Sequence, residues 1–285
     1  MSDPTSPGPC PGPEAGRRAL LSALAALPAF GLAARARAET AAAAAGLITP
    51  NVCMILPEVT EGPYYLDPGL VRADIREDRA GVPLEMLLQV VGTDCAPIAG
   101  ARVDIWHCDA QGNYSGYAGQ GSDRTADTKG ETFLRGTQMT AADGVARFTT
   151  IWPGWYRGRT THLHYKVFLD EATVLTSQIF LPDALSEYIY AHATAYAGRA
   201  SGRDTFNAGD GIARQAGDGA QASVREQGDR YVAALVAGVN PEARSTGGMR
   251  PGGPGLPPPG ARPPGPPPGS PSGQTGDVRI IPGSE

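Results

Sequence analysis

Apolar and polar residues alternate through much of the middle of this chain. From Thr161 to Leu169, the residues Leu163, Tyr165, Val167 and Leu169 fall on one side, and His162 and His164 fall on the other. A period of two predicts a half-buried β-strand with both imidazoles on one face, about 6.5–7 Å apart at Cα. Ala101–Trp106 alternates in the same way, as does Val145–Ile151 after the turn dipeptide Asp143-Gly144. Leu84–Gly92 is a short apolar run suited to a buried strand. Val174–Leu181 and Arg230–Val236 read as further strands, the first set off by Asp170-Glu171. Ala184–Tyr196 is predicted as a short helix opened by Pro182-Asp183. Several short strands with turn signals between them predict a mostly β fold, a β-sandwich with short helices and long loops. No internal repeat, P-loop or Rossmann glycine fingerprint interrupts that reading.

Both ends depart from the pattern. Arg17-Arg18, the apolar stretch Ala19–Ala34 and the small-x-small run Ala36-Arg37-Ala38 form the three regions of a secretory signal, here residues 1–38. The paired arginines fit a twin-arginine signal, so export to the periplasm or beyond is expected. The run is too short and alanine-rich to span a membrane comfortably. Residues 39–49 read as a flexible lead-in and 50–242 as the globular domain. Residues 243–285 are rich in Pro and Gly and are expected to be disordered, because they cannot bury enough apolar surface to offset their ordering entropy.

Composition narrows the picture. A net charge of −5 argues against an electrostatic nucleic-acid binder. Cys53, Cys95 and Cys108 remain after the signal. Cys95 and Cys108 flank one predicted strand, which holds them too far apart for a disulfide, so Cys53 is expected to pair with one of the two. No Cys-x2-Cys spacing supports a zinc site.

The chemistry sits around the histidine strand. Among only four histidines, His162 and His164 share one face. Two imidazoles so placed can converge on a metal, or they can be polar residues on a solvent-facing strand. Tyr114 lies in the Gly-containing loop after strand 101–106, and Tyr156 lies in the loop Trp152–Arg159. Together they offer two phenol oxygens and two imidazole nitrogens. Phenolate is a hard anionic donor whose formation needs a strongly charged ion, which favours ferric iron over a soft one. No carboxylate beside His162 and His164 completes the triad of ferrous oxygenases. Ser115 and Ser177 lack a nucleophile-elbow context, which disfavours a hydrolase.

Tyr114 in IAGARVDIWHCDAQGNYSGY, Tyr156 in WPGWYRGR and the pair His162 and His164 resemble the two-tyrosine, two-histidine pattern of the intradiol ring-cleavage dioxygenases. The likeness runs from about Thr60 to Leu181 and is closest to a secreted, single-domain branch. The resemblance implies non-haem Fe(III) held by Tyr114, Tyr156, His162 and His164, with Tyr156 the ligand that leaves on substrate binding. It implies catalytic roles for Tyr156, Arg159 and Gln178, and a substrate pocket lined by Gly62, Pro63, Tyr64 and Arg159. The partners it implies are a catechol-type diol and O2, cleaved to a cis,cis-muconate-type diacid. Arg157 and Arg102 are candidates for a substrate carboxylate, and homo-oligomerisation is left open. A secreted β-sandwich binding module without catalysis is the competing reading, in which the Tyr and His set is packing.

Overall fold

The computed structural model describes residues 54–247, apart from Pro68 and Ser122. The expected export signal, lead-in, Cys53 and residues 248–285 of the expected tail lie outside the described residues. Strand β1 (Pro83–Val91) shows why its sequence is continuously apolar. Leu84, Met86, Leu88 and Val90 enter the main core, while Leu87 on the opposite face joins Val145, Val232 and Ala234. A strand covered on both sides gains nothing from alternation.

The chain continues through β2 (Arg102–Trp106), β3 (Arg135–Met139), β4 (Val145–Ile151), β5 (His162–Leu169) and β6 (Ala172–Phe180). Helices α1 (Asp183–His192) and α2 (Gly211–Ala216) follow, then β7 (Ser223–Gln227) and β8 (Arg230–Gly238). One sheet has the order β4-β1-β8-β7 and the other β3-β2-β5-β6. Strand β1 runs antiparallel to β4 and parallel to β8, and β5 is antiparallel to both β2 and β6. Val103, Ile105, Leu163, Tyr165 and Val167 of the second sheet share a core with Leu84, Met86, Phe148, Ala233 and Leu235 of the first. The architecture is the expected β-sandwich.

The alternating and apolar segments all become strands within a residue or two of their predicted ends. Two strands were missed. β3, with the sequence RGTQM, has no alternation, and β7, with SVREQ, is a largely exposed edge strand. The single helix expected over 184–196 ends at His192. Ala193 is extended (ψ 127°), and a separate 3-10 turn covers Thr194–Tyr196. The histidine strand is buried on both faces from His162 to Val167 rather than half-buried, because loops cover its outer side. Cys108 is a buried free thiol, whereas Cys95 is in a disulfide whose partner lies outside the described residues. The start of the expected tail packs on the domain: the Glu61 amide donates to the Gly247 carbonyl at 2.9 Å, and Ser245 and Thr176 hydroxyls meet at 2.7 Å. Among the described residues no helix is long and apolar enough to cross a membrane.

Candidate metal centre and active site

The outer face of the β2–β5–β6 sheet carries the candidate site. Alternation puts Leu163 into the core and turns His162 and His164 outward. In register with His164 stand Trp106 on β2 and Gln178 on β6. The Trp106 ring stacks on the His164 imidazole at 4.9 Å and 12°, fixing its plane. Tyr114 arrives on the loop after β2. The Asp109 carboxylate shapes that loop by accepting the amides of Gln111 (2.9 Å) and Asn113 (2.8 Å). Tyr156 arrives on the loop after β4. The two loops touch backbone to backbone, with the Gly154 amide donating to the Asp109 carbonyl at 3.0 Å. A Cβ on Gly154 would sit 2.5 Å from the Ala110 oxygen, so only glycine permits the approach.

Four donor atoms meet where these elements converge. His162 Nε2 lies 3.1 Å from His164 Nε2, 3.2 Å from Tyr156 Oη and 3.3 Å from Tyr114 Oη. His164 Nε2 lies 3.0 Å from Tyr114 Oη. His162 Nδ1 faces the Thr160 carbonyl at 2.6 Å. A carbonyl only accepts, so in the neutral ring Nδ1 carries the proton and Nε2 presents a bare lone pair to the other donors. His164 Nδ1 is buried with no hydrogen-bond partner among the described residues. Burial holds both imidazoles well below their ordinary pKa; the Arg159 charge adds to the effect on His162, and the neighbouring His162 adds to it on His164. Burial likewise raises both phenols, well above the usual range for Tyr114. Among the described residues no group of three or more His, Cys, Asp or Glu could hold a metal; half of this donor set is tyrosine. Inward lone pairs at mutual hydrogen-bond distance fit a cation, and hard phenol oxygens beside imidazoles fit a ferric one.

Arg159 is not a surface ion pair. Its Nη1 lies 3.4 Å from Tyr156 Oη and 3.3 Å from His162 Nε2, and its Nη2 donates to Gln178 Oε1 at 2.5 Å. Burial opposes its charge, but Tyr156 and Asp210 outweigh that and leave its pKa raised. Gln178 is fully buried, and its Nε2 donates to the Thr60 carbonyl at 2.9 Å. Gly62 has φ 71°, and a Cβ there would lie 3.4 Å from His164 Cε1, so this turn rests on the histidine. Tyr64 stacks on Tyr114 at 4.8 Å, while Pro63 in the same turn is exposed. Arg102 is tied to Asp104 and Asp67, which removes it as a free carboxylate binder. Arg157 is exposed.

Two supports of the site lie outside the residues expected from the sequence. Asp210 takes Arg159 Nε at 2.9 Å, and an Asp before Gly-Ile-Ala was readable as a helix cap. Buried Arg135 donates to the Tyr64 carbonyl (2.7 Å), Ser115 Oγ (2.8 Å) and the Ser115 carbonyl (2.7 Å). It joins the Gly62–Tyr64 turn to the Tyr114 loop, and nothing in its local sequence marks it.

Comparison with known proteins points to one family. The profile of a family described as Dioxygenase matches residues 60–201. A catechol 1,2-dioxygenase of Acinetobacter lwoffii is 31% identical over 145 residues, 43% of this chain and 45% of that protein. A chlorocatechol 1,2-dioxygenase of Pseudomonas sp. (strain P51) is 31% identical over 136 residues, covering 42% and 53%. The chain thus spans about half the length of the curated relatives it matches. Among solved structures, an intradiol ring-cleavage dioxygenase from Tetranychus urticae is 33% identical with a TM-score of 0.62, over 68% of this chain and 98% of that one. The dioxygenase domain of a dioxygenase carbohydrate-binding protein fusion from Streptomyces sp. SirexAA-E is 26% identical with a TM-score of 0.50, over 66% and 99%.

Proposed function

The chain belongs to the intradiol ring-cleavage dioxygenase family, and on that premise we propose that it is a non-haem Fe(III)-dependent enzyme cleaving a catechol-type diol with O2 to a cis,cis-muconate-type diacid. The observation that carries the proposal is the convergence of Tyr114, Tyr156, His162 and His164 on one buried point. These four residues would hold the iron. When bound, the ferric ion supplies the Lewis acidity that favours loss of the diol protons and opens the ring to oxygen.

The remaining work falls to the protein. Tyr156 is the least covered of the four donors, the other three being buried. It is therefore the one placed to give way to substrate, and its Oη then takes up a hydroxyl proton. Tyr114 is locked between the two imidazoles and the Tyr64 ring. Arg159 puts a permanent positive charge beside the Tyr156 oxygen, where negative charge on a bound diol would gather. Gln178 holds the guanidinium in that direction. The Gly62–Tyr64 turn forms the wall against which a planar ring would lie.

Export by the twin-arginine route is part of the same proposal. It is supported by Arg17-Arg18 and by the Cys95 disulfide, which suits an oxidising compartment. The test is oxygen uptake by iron-loaded protein with catechol, hydroxyquinol, protocatechuate and a chlorocatechol, with products weighed by mass spectrometry. Uptake with at least one diol and a ring-opened diacid product is expected. A protein that binds no iron and consumes no oxygen with any of them would instead be a binding module.

A further inference from the structure

The family profile ends at residue 201, yet the site depends on a residue beyond it. Asp210 is 2% exposed. Its Oδ2 accepts Arg159 Nε at 2.9 Å and the Thr160 amide at 3.0 Å, and its Oδ1 accepts the amides of Ile212 at 2.8 Å and Ala213 at 3.2 Å. A carboxylate offers about four lone-pair positions, so its capacity is fully used. Both groups on Oδ2 lead to the donor cluster. Arg159 reaches Tyr156 Oη and His162 Nε2 through Nη1. Thr160 is the residue whose carbonyl takes the Nδ1 proton of His162. The Thr160 hydroxyl is anchored in turn by Asn207 at 2.8 Å and Arg203 at 3.0 Å, both also beyond residue 201.

We propose that Asp210 is a positioning residue of this site, aiming Arg159 at the Tyr156 oxygen and bracing Thr160 beneath His162. The inference rests on the ring-cleavage reading above. One carboxylate serves two elements: the loop carrying Arg159 and Thr160, which leads into β5, and helix α2. An amide in its place has a single acceptor oxygen and turns N–H donors toward other donors. Asp210→Asn therefore cannot satisfy Arg159 Nε, Thr160 and the helix amides together.

The test compares full-length wild type, Asp210→Asn and Arg214→Gly. Arg214 is an exposed residue of α2, so Arg214→Gly weakens the helix without touching the site. Before iron loading, nitrogen NMR reads the Arg159 Nε–H signal, assigned with Arg159→Lys, and its exchange with solvent. After loading, iron content, kcat and KM are measured. Wild type and Arg214→Gly are expected to show a slowly exchanging Nε–H and similar kcat/KM. Asp210→Asn is expected to retain iron, to lose Nε–H protection and to fall about 10–100-fold in kcat/KM, as for loss of a residue supporting a ligand shell. An Asp210→Asn protein with wild-type kcat/KM overturns the proposal, as does an equal fall in Arg214→Gly, which would make the effect a loosened helix. A wild type that binds iron but opens no ring overturns the ring-cleavage reading itself, and that result is read before any variant is compared.

Discussion

Gly154→Ala probes the seam that brings the two tyrosines together. The Tyr114 and Tyr156 loops meet there, and the added methyl would lie 2.5 Å from the Ala110 oxygen and 2.6 Å from the Asp109 oxygen. Ordinary contact begins near 3.4 Å, so the loops must part by about 0.9 Å. Neither obstacle is a side chain that can rotate away; both are backbone. The hydrogen bond from the Gly154 amide to the Asp109 carbonyl lies on the same seam and would lengthen. Overpacking of this kind costs about 1–3 kcal/mol, a fall of several degrees in Tm for a domain of this size. Activity should fall with stability, because a misplacement of about 1 Å can cost about 100-fold in rate. The assay pairs a thermal melt with kcat/KM for ring cleavage and with iron stoichiometry. A Gly154→Ala protein with wild-type Tm and wild-type kcat/KM would refute the claim that this contact sets the spacing of the phenol oxygens.

Other changes follow from the same geometry. Tyr156→Phe and His162→Ala should each abolish most ring cleavage and weaken the visible charge-transfer band of the iron-loaded protein; if both retain full activity, the ligand assignment is wrong. Arg135→Ala removes three hydrogen bonds from a buried guanidinium whose pKa burial has already lowered to about 10. It should destabilise the fold by about 3 kcal/mol or more in denaturant melts, since hydrogen bonds to charged groups contribute about 1.5–3 kcal/mol each. His107 is buried, and burial lowers its pKa to about 4. The unfolded chain takes up this proton near pH 6.5 and the folded chain only near pH 4, so stability falls as pH drops between those values. The loss from this group should reach about 2 kcal/mol by pH 5. Wild type and His107→Gln should therefore converge in stability between pH 7 and pH 5, and a constant gap would contradict the assignment.

How much of this was legible depends on whether the information is local. Alternation in 101–106, 145–151 and 161–169 located three strands, because each has one face in the sandwich core. It also placed both imidazoles on one side, and the structure brings Tyr114, Tyr156, Arg159 and Gln178 to them. β3 escaped because RGTQM has a glycine and polar residues where alternation would be read, and its burial comes from Arg135 reaching across to Ser115 and Tyr64. β7 escaped because an exposed edge strand carries no apolar signature. The break after His192 has no proline or glycine to announce it. Burial of the outer face of β5 was misjudged because its cover, the Gly62–Tyr65 turn and the Tyr114 loop, comes from residues distant in sequence. Asp210 shows the same limit: its capping role is local and readable, but its ion pair with Arg159 spans 51 residues and exists only once α2 docks.

As a ferric site, the two-tyrosine, two-histidine cluster would open a diol between its hydroxyl-bearing carbons. The most direct measurement is the product formed under isotopically labelled O2 by the iron-loaded full chain from whichever of catechol, hydroxyquinol, protocatechuate and a chlorocatechol it turns over. A ring-opened cis,cis-muconate-type diacid carrying both atoms of one labelled O2 is expected. A ring opened beside the hydroxyl-bearing carbons, giving a semialdehyde, or recovery of all four diols unchanged from iron-loaded protein, would contradict that reading.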